Sequence, residues 1–113
     1  MQIEFGGRKR ELKFRLSSAA QFEDATGATL SESLPKMGVG TLATLLWLGI
    51  RKDDERISRN KVLDYLDSYV EDGGDVSDLW RAVTEQLALD GLFGKEAAEK
   101  AKAGKVEAGV GGV

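Results

Sequence analysis

The stretch VGTLATLLWLGI, residues 39–50, decides the fold of this chain. Apolar side chains occur on nearly every side of the helix that the segment from Thr41 to Ile50 predicts. A helix with this pattern is buried on most of its faces. The stretch is too short to span a membrane, which needs about 20 apolar residues. We therefore expect a core helix around which the other elements pack.

The chain before this helix begins with an alternation of apolar and polar side chains. The alternation near residues 2–5 and 10–16 is typical of strands with one buried face. Between them, the paired glycines of GGRKR, residues 6–10, suit a tight turn. These features predict a β-hairpin, and its apolar face must pack on another element because a lone hairpin is only marginally stable.

Helical patterns account for most of the remaining chain. The predicted helices are residues 18–26, a short segment from Ser31 to Met37 that Pro35 interrupts, 41–50, 59–72, and a last helix that ends near Leu89. The candidate N-caps are Ser17 or Ser18, Ser31, Ser58, and Asp75 or Ser77. Gly27 is a natural residue to end the first helix, which presents Phe22 to the core.

Two apolar stripes predict the buried faces of the last two helices. The stripes are Val62, Leu66, Tyr69 and Val70, and Leu79, Trp80, Val83 and Leu87. After Gly94 large apolar residues almost disappear. We therefore predict an α+β protein, mostly α, in which the hairpin packs on a bundle of four to five short helices. Residues 1–93 form the domain, and residues 94–113 form a flexible tail rich in Ala, Lys, Glu and Gly.

Composition excludes several classes of chemistry. The 113 residues include no Cys and no His, which removes thiol nucleophiles, Ser-His-Asp triads and the common zinc sites. Asp64 and Asp67 share one helix face, but that face lies opposite the apolar stripe, where solvated acids are expected. We predict a protein that is not an enzyme and has no catalytic residue, cofactor or metal.

Neither a membrane nor a nucleic acid is an expected partner. The N-terminus lacks the apolar run of a signal peptide. Five Lys or Arg residues lie between Arg8 and Arg15, but the whole chain has a net charge of −3. We favour the interpretation that Arg8-Lys9-Arg10 is a turn and that Lys13 and Arg15 lie on the wet face of a strand.

A few large apolar side chains are candidates for contact with a protein partner, because such side chains, Trp above all, are enriched at binding hot spots. Trp47 fits a core role and a partner-binding role equally well, whereas Trp80 fits the core better. Leu92 and Phe93 are either the last core contacts or a docking site. The candidate partner-binding residues are Leu46, Trp47, Ile50, Trp80, Leu92 and Phe93.

Three segments together resemble a known family. They are FEDATGATL at residues 22–30, LLWLGI at residues 45–50, and the helix start IS at residues 57–58 with VLDYL at residues 62–66. This order is similar to that of the tail assembly chaperones of long-tailed bacteriophages, over roughly residues 10–72. That family has a Phe-Glu-x-x-Thr-Gly-x-x-Leu segment, then a helix similar to Leu-Leu-Trp-x-Gly-Leu, then a helix capped by Ser or Thr.

The resemblance implies a protein without enzymatic activity that works in the host bacterial cytoplasm and is absent from the mature virion. Its partners would be the tape measure protein, which it holds soluble, and the tail tube protein that polymerises around it. Many members are made in two lengths through a programmed ribosomal frameshift. Gly94-Lys95 and Gly104-Lys105 are candidate positions for it here, and the short product would end in a flexible tail.

Exposed apolar surface on such a chaperone would also favour self-association, so we expect a homo-oligomer. Two other functions remain open. One is a different phage morphogenesis adaptor, such as a head–tail joining protein. The other is a small nucleic-acid-binding regulator that uses the basic hairpin.

Overall fold

The computed structural model describes residues 1–94 and Glu99. Within those residues a two-stranded hairpin precedes five α-helices and one short 3-10 turn. The elements are β1 (Gln2–Phe5), β2 (Arg8–Glu11), α1 (Leu16–Thr26), α2 (Leu30–Ser33), the 3-10 turn Leu34–Lys36, α3 (Val39–Ile50), α4 (Arg59–Glu71) and α5 (Val76–Leu89). The predicted fold class, a mostly helical α+β protein with an N-terminal hairpin, is confirmed. Apart from Gly94 and Glu99, the predicted tail lies outside the described residues.

Helix α3 lies at the centre of the core because it packs against α1, α4, α5 and β2. Its buried residues are Leu42, Ala43, Thr44, Leu45, Leu46, Leu48, Gly49 and Ile50. The apolar pattern on all sides predicted this position correctly. The helix begins at Val39, however, and not at Thr41.

The hairpin turn contains fewer residues than the sequence suggested. Only Gly6 and Gly7 form it, with φ angles of 64° and 82°, which are the positive values that a type I′ turn requires at both central residues. The strands pair antiparallel, with Phe5 opposite Arg8 and Ile3 opposite Arg10. The prediction that Arg8-Lys9-Arg10 is a turn is therefore wrong, because all three residues belong to β2.

The second strand was expected over residues 10–16, but it ends at Glu11. Beyond it the chain stays near β1 for one more bond, from Leu12 N–H to the Met1 carbonyl, and then Lys13 N–H bonds to the Gly49 carbonyl of α3 at 2.9 Å. The alternation still reports burial correctly, since Leu12 and Phe14 are both in the core. It fails at Leu16, which is 82% exposed because it begins α1 instead of continuing a strand.

The caps explain the remaining differences between the expected and observed helices. Helix α1 begins at Leu16, and the Ser18 hydroxyl accepts the Arg15 N–H at 3.0 Å. Thr29, not Ser31, caps α2, and Glu32 completes a capping box with it. The predicted segment up to Met37 is divided at Pro35, which stands at the start of the 3-10 turn.

Helices α4 and α5 match their predicted ranges to within a residue or two, and Ser58 and Asp75 are their N-caps. On α5 the whole stripe of Leu79, Trp80, Val83 and Leu87 is buried. On α4 only Val62 and Leu66 are buried. Tyr69 is half-buried and packs against the core, whereas Val70 is 52% exposed. The predicted stripe is therefore one residue too long.

Candidate partner-binding surface

An open groove of about 620 Å³ lies where the N-terminus of α1 meets the C-terminus of α3. We call it the α1–α3 groove. Its lining residues are Lys13, Arg15, Ser17, Ser18, Gln21, Leu48, Arg51, Lys52 and Glu55. Four of these side chains are cationic and one is anionic, so the rim is positive although the chain as a whole is acidic.

The cations around the groove are held in different ways. Lys13 donates to Asp90 at 2.7 Å. Arg51 donates to Gln21 at 3.3 Å, and its guanidinium lies 5.0 Å from the centre of the Trp47 ring, a cation–π distance. Arg15 and Lys52 form no ion pair with any described residue, and both are exposed. These two positive charges are therefore available to a partner.

One exposed apolar side chain lies next in sequence to groove residues, and one buried apolar side chain lines the groove. Leu16 lies between the lining residues Arg15 and Ser17, and it is the most exposed of the large apolar side chains in the described part of the chain. Leu48, which is 5% exposed, is the one apolar residue that lines the groove. The combination of apolar contact and positive charge suits a segment that carries acidic side chains beside an apolar stripe.

The residues predicted to bind a partner do not form one surface. Leu46 and Ile50 have no exposed area, and Trp80 is 6% exposed within the core. Contact between these three and a partner stays a prediction, and it would require the helices to separate. For Trp80, the core interpretation is the one that the structure supports.

Trp47 is partly buried against the core, and its contact with a partner stays a prediction. Its Nε1 donates to the Ile57 carbonyl at 3.1 Å. The bond ties α3 to the loop before α4, while Arg51 covers the ring from the side of the groove. Trp47 therefore positions Arg51 at the groove without lining it.

Leu92 and Phe93 differ from each other in burial. The Leu92 N–H bonds to the Leu87 carbonyl and the Gly91 N–H to the Ala88 carbonyl, which is the Schellman motif that ends α5. Leu92 packs on the core, whereas Phe93 is 42% exposed. Of the pair, only Phe93 offers a partner a large exposed side chain.

The segment that carries the family resemblance forms the corner between α1 and α2. Phe22 is fully buried. The Thr26 hydroxyl donates to the Phe22 carbonyl at 2.8 Å. Gly27 follows in the left-handed conformation, and Thr29 then caps α2. Each of these residues therefore has a structural role, and residues 22–30 together form the corner that sets the direction of α2.

Two arginines of the basic hairpin pair with the loop that follows α3. Arg10 is 3% exposed, and it donates to Asp54 at 3.0 Å and to the Phe5 carbonyl at 2.7 Å. Arg8 donates to Asp53 at 3.0 Å. Both guanidinium groups are paired with carboxylates of the same chain, Arg10 in the interior and Arg8 at the surface, so the geometry does not favour nucleic-acid binding by the hairpin.

Asp90 is a structural residue that the sequence analysis missed. Its carboxylate accepts bonds from Lys13 Nζ at 2.7 Å, from Phe14 N–H at 2.8 Å and from Gln86 Nε2 at 2.9 Å. Burial alone raises the pKa of Asp90, but the three hydrogen bonds outweigh burial and lower it. Asp90 thus clamps the segment that leaves the hairpin to the end of α5.

The other acidic residues do not indicate catalysis. Asp64 and Asp67 are exposed on α4, as expected for solvated charges. Among the described residues, no group of three or more acidic side chains is arranged to hold a metal ion. In the same part of the chain, no helix combines the length and apolar character needed to cross a bilayer.

Comparison of the chain with models of known protein families, with curated proteins and with solved structures found no match.

Proposed function

We propose that the protein is a tail assembly chaperone of a long-tailed bacteriophage. It binds the tape measure protein, keeps it soluble and promotes polymerisation of the tail tube protein around it. It works in the host bacterial cytoplasm and is absent from the mature virion. The observation that carries the proposal is the α1–α3 groove, an open surface with a positive rim, an apolar wall residue in Leu48, and the exposed Leu16 next in sequence to two of its lining residues.

The groove suits a holding function because its contacts are reversible. An amphipathic helix laid along it could cover the exposed Leu16 with its apolar face and bring acidic side chains to Arg15 and Lys52. Each exposed ion pair contributes at most about 1 kcal/mol. A client held by several such contacts can leave when tail tube subunits compete for it.

The family resemblance supports the same proposal from the sequence side. Its first segment, residues 22–30, forms the corner that follows α1, and its second, residues 45–50, lies in α3. These are the two helices that form the groove. The residues that carry the resemblance therefore build the scaffold of the proposed client site.

The test is co-expression of the full chain with fragments of a tape measure protein, with soluble fragment as the readout. Arg15→Glu combined with Lys52→Glu reverses two charges at the groove. Arg56→Glu combined with Arg81→Glu changes the net charge equally at exposed positions outside it. We expect the first pair to weaken binding about tenfold at low salt and the second to leave it near the wild-type value.

Two results would contradict the proposal. In one, no tape measure fragment binds while a portal or tube ring does, which would favour a head–tail joining adaptor. In the other, both charge-reversal pairs weaken binding equally, so the groove is not the client site. The frameshift hypothesis has a separate test in the coding DNA, since it needs a slippery heptamer near Gly94-Lys95 or Gly104-Lys105 and an overlapping reading frame.

A further inference from the structure

Strand β1 has an outer edge that no described residue covers. Phe5 with Arg8 and Ile3 with Arg10 are opposite pairs on either side of a two-residue turn. In such a hairpin these pairs exchange the ladder hydrogen bonds, and the Leu12 N–H bond to the Met1 carbonyl continues the same phase. The backbone groups of Gln2 and Glu4 therefore point away from β2. Both residues are exposed.

The outer edge of β2 differs, because side chains cover it. Glu11 N–H donates to Asp53 at 3.3 Å, and the Lys9 carbonyl accepts from Arg8 at 3.0 Å. Proteins usually protect an open edge with charged side chains, lysine above all, or with a proline or a bulge. The sequence of β1, QIEF, contains neither a lysine nor a proline, and its one charged residue is Glu4.

We propose that β1 of a second copy of this chain pairs antiparallel with β1, around a two-fold axis at Ile3. The hairpins of the two copies then form one four-stranded sheet. This inference is independent of the proposed function, since it depends only on the geometry and sequence of the hairpin.

The sequence of β1 is complementary to itself in one register. With Ile3 opposite Ile3 of the partner subunit, Gln2 faces Glu4 of the partner subunit twice, and both pairs exchange backbone hydrogen bonds. A shift by two residues retains only one such pair within the strands and places Glu4 opposite Glu4 or Gln2 opposite Gln2. Charge and hydrogen bonding therefore select the same register.

Ile3 adds an apolar contact at the axis. It is only partly buried, at the margin of the core. In a non-hydrogen-bonded pair the two Cα atoms lie about 4.5 Å apart, so the side chains touch. The strand is short, and the interface buries far less than the roughly 1,600 Å² of a standard complex. We therefore expect a weak dimer whose population rises with concentration.

The test is sedimentation velocity of the full chain up to about 1 mM, which detects even a weak dimer. Glu4→Pro removes an outward N–H, leaves the bonds between β1 and β2 in place, and is expected to abolish the dimer. Lys9→Pro is the matched control, since it removes the corresponding N–H from the opposite edge and is expected to leave the dimer intact.

A second pair of variants keeps the backbone unchanged and tests the register, so it decides the matter if proline unfolds the hairpin. Gln2→Lys places a cation opposite Glu4 of the partner subunit and should strengthen the dimer about 2- to 30-fold. Gln2→Glu should weaken it by a similar factor. A chain that stays monomeric at 1 mM, or an oligomer that responds to neither Glu4→Pro nor the Gln2 variants, would overturn the proposal.

Discussion

Replacement of Gly49 by alanine sets two physical effects against each other. Gly49 lies in the last turn of α3, where the segment that leaves the hairpin crosses the helix. A Cβ atom at this position would lie 2.5 Å from Leu12 Cδ1 and 2.7 Å from Phe14 Cζ. Both side chains are fully buried, so neither can move aside without disturbing the core. Helix propensity alone would predict the opposite, because alanine is favoured over glycine inside a helix.

The relative size of these two effects decides whether Gly49→Ala raises or lowers the free energy of unfolding. Alanine gains about 1 kcal/mol over glycine in a helix interior, and overpacking a filled core costs about 1–3 kcal/mol. Because the added atom meets two fully buried side chains, we expect the upper part of that range. The predicted net effect is a loss of about 1–2 kcal/mol in the free energy of unfolding. For a domain of this size the midpoint of thermal unfolding should fall by about 4–8 °C per kcal/mol.

Gly40→Ala is the matched control, because it makes the same substitution in the first turn of the same helix. There the new Cβ would meet only Arg59 Nη2, at 3.5 Å, which is an ordinary contact. We expect Gly40→Ala to keep or slightly raise the stability measured by urea unfolding. If Gly49→Ala is as stable as the wild type or as Gly40→Ala, the crossing is looser than described and the reasoning is wrong.

Three further substitutions test the polar contacts. Asp54→Ala leaves the buried Arg10 without its carboxylate and should lower the free energy of unfolding in urea by about 1.5–3 kcal/mol. Asp53→Ala removes the partner of the half-exposed Arg8 and should lower it by less than about 1 kcal/mol. Equal losses from the two variants would contradict this distinction. The pKa of Asp90 is lowered in the folded state, so its stabilising effect is present at neutral pH and is lost as the pH falls below about 4. The stability gap between wild type and Asp90→Asn should therefore narrow from pH 7 to pH 3, and a gap independent of pH would rule out the ionised clamp.

Local patterns predicted the helical elements well, because their signals act over a few residues. The apolar stretch of α3 and the stripe of α5 each report burial of one continuous element. Ser58 and Asp75 satisfy N–H groups within three residues of themselves. For such features the interacting groups lie within a few residues of each other, so a short stretch of sequence contains both of them.

The misjudged features depend on contacts between distant segments. The alternation up to Leu16 could not reveal that Lys13 and Phe14 bond to helix ends and not to a strand. Asp90 carries no local signal, since its partners are up to 77 residues away. Arg10 did have a usable signal, because it continues the alternation of Leu12 and Phe14 towards the core face. A basic residue was not expected there without its partner in view.

The candidate groove was missed for a related reason. Sequence reasoning ranked the largest apolar side chains as partner contacts, and these are the side chains that a small core needs most. Leu46 and Ile50 are fully buried in the core, whereas Leu16 and the charges of Arg15 and Lys52 remain at the surface. Which apolar residues remain exposed is settled by packing between α1 and α3, which no single window contains.

The Asp90 clamp also constrains the order in which contacts can form while the chain is synthesised. During synthesis Leu12 and Phe14 leave the ribosome long before Asp90 exists, and contacts between distant residues close late because loop closure is costly. For most of translation the hairpin therefore lacks one of the groups that fix it to the helices. Leu12 and Phe14 stay accessible to other nascent chains for this time, and transiently exposed apolar surface of this kind promotes aggregation. The chain should be most vulnerable until Asp90 can reach the segment that leaves the hairpin.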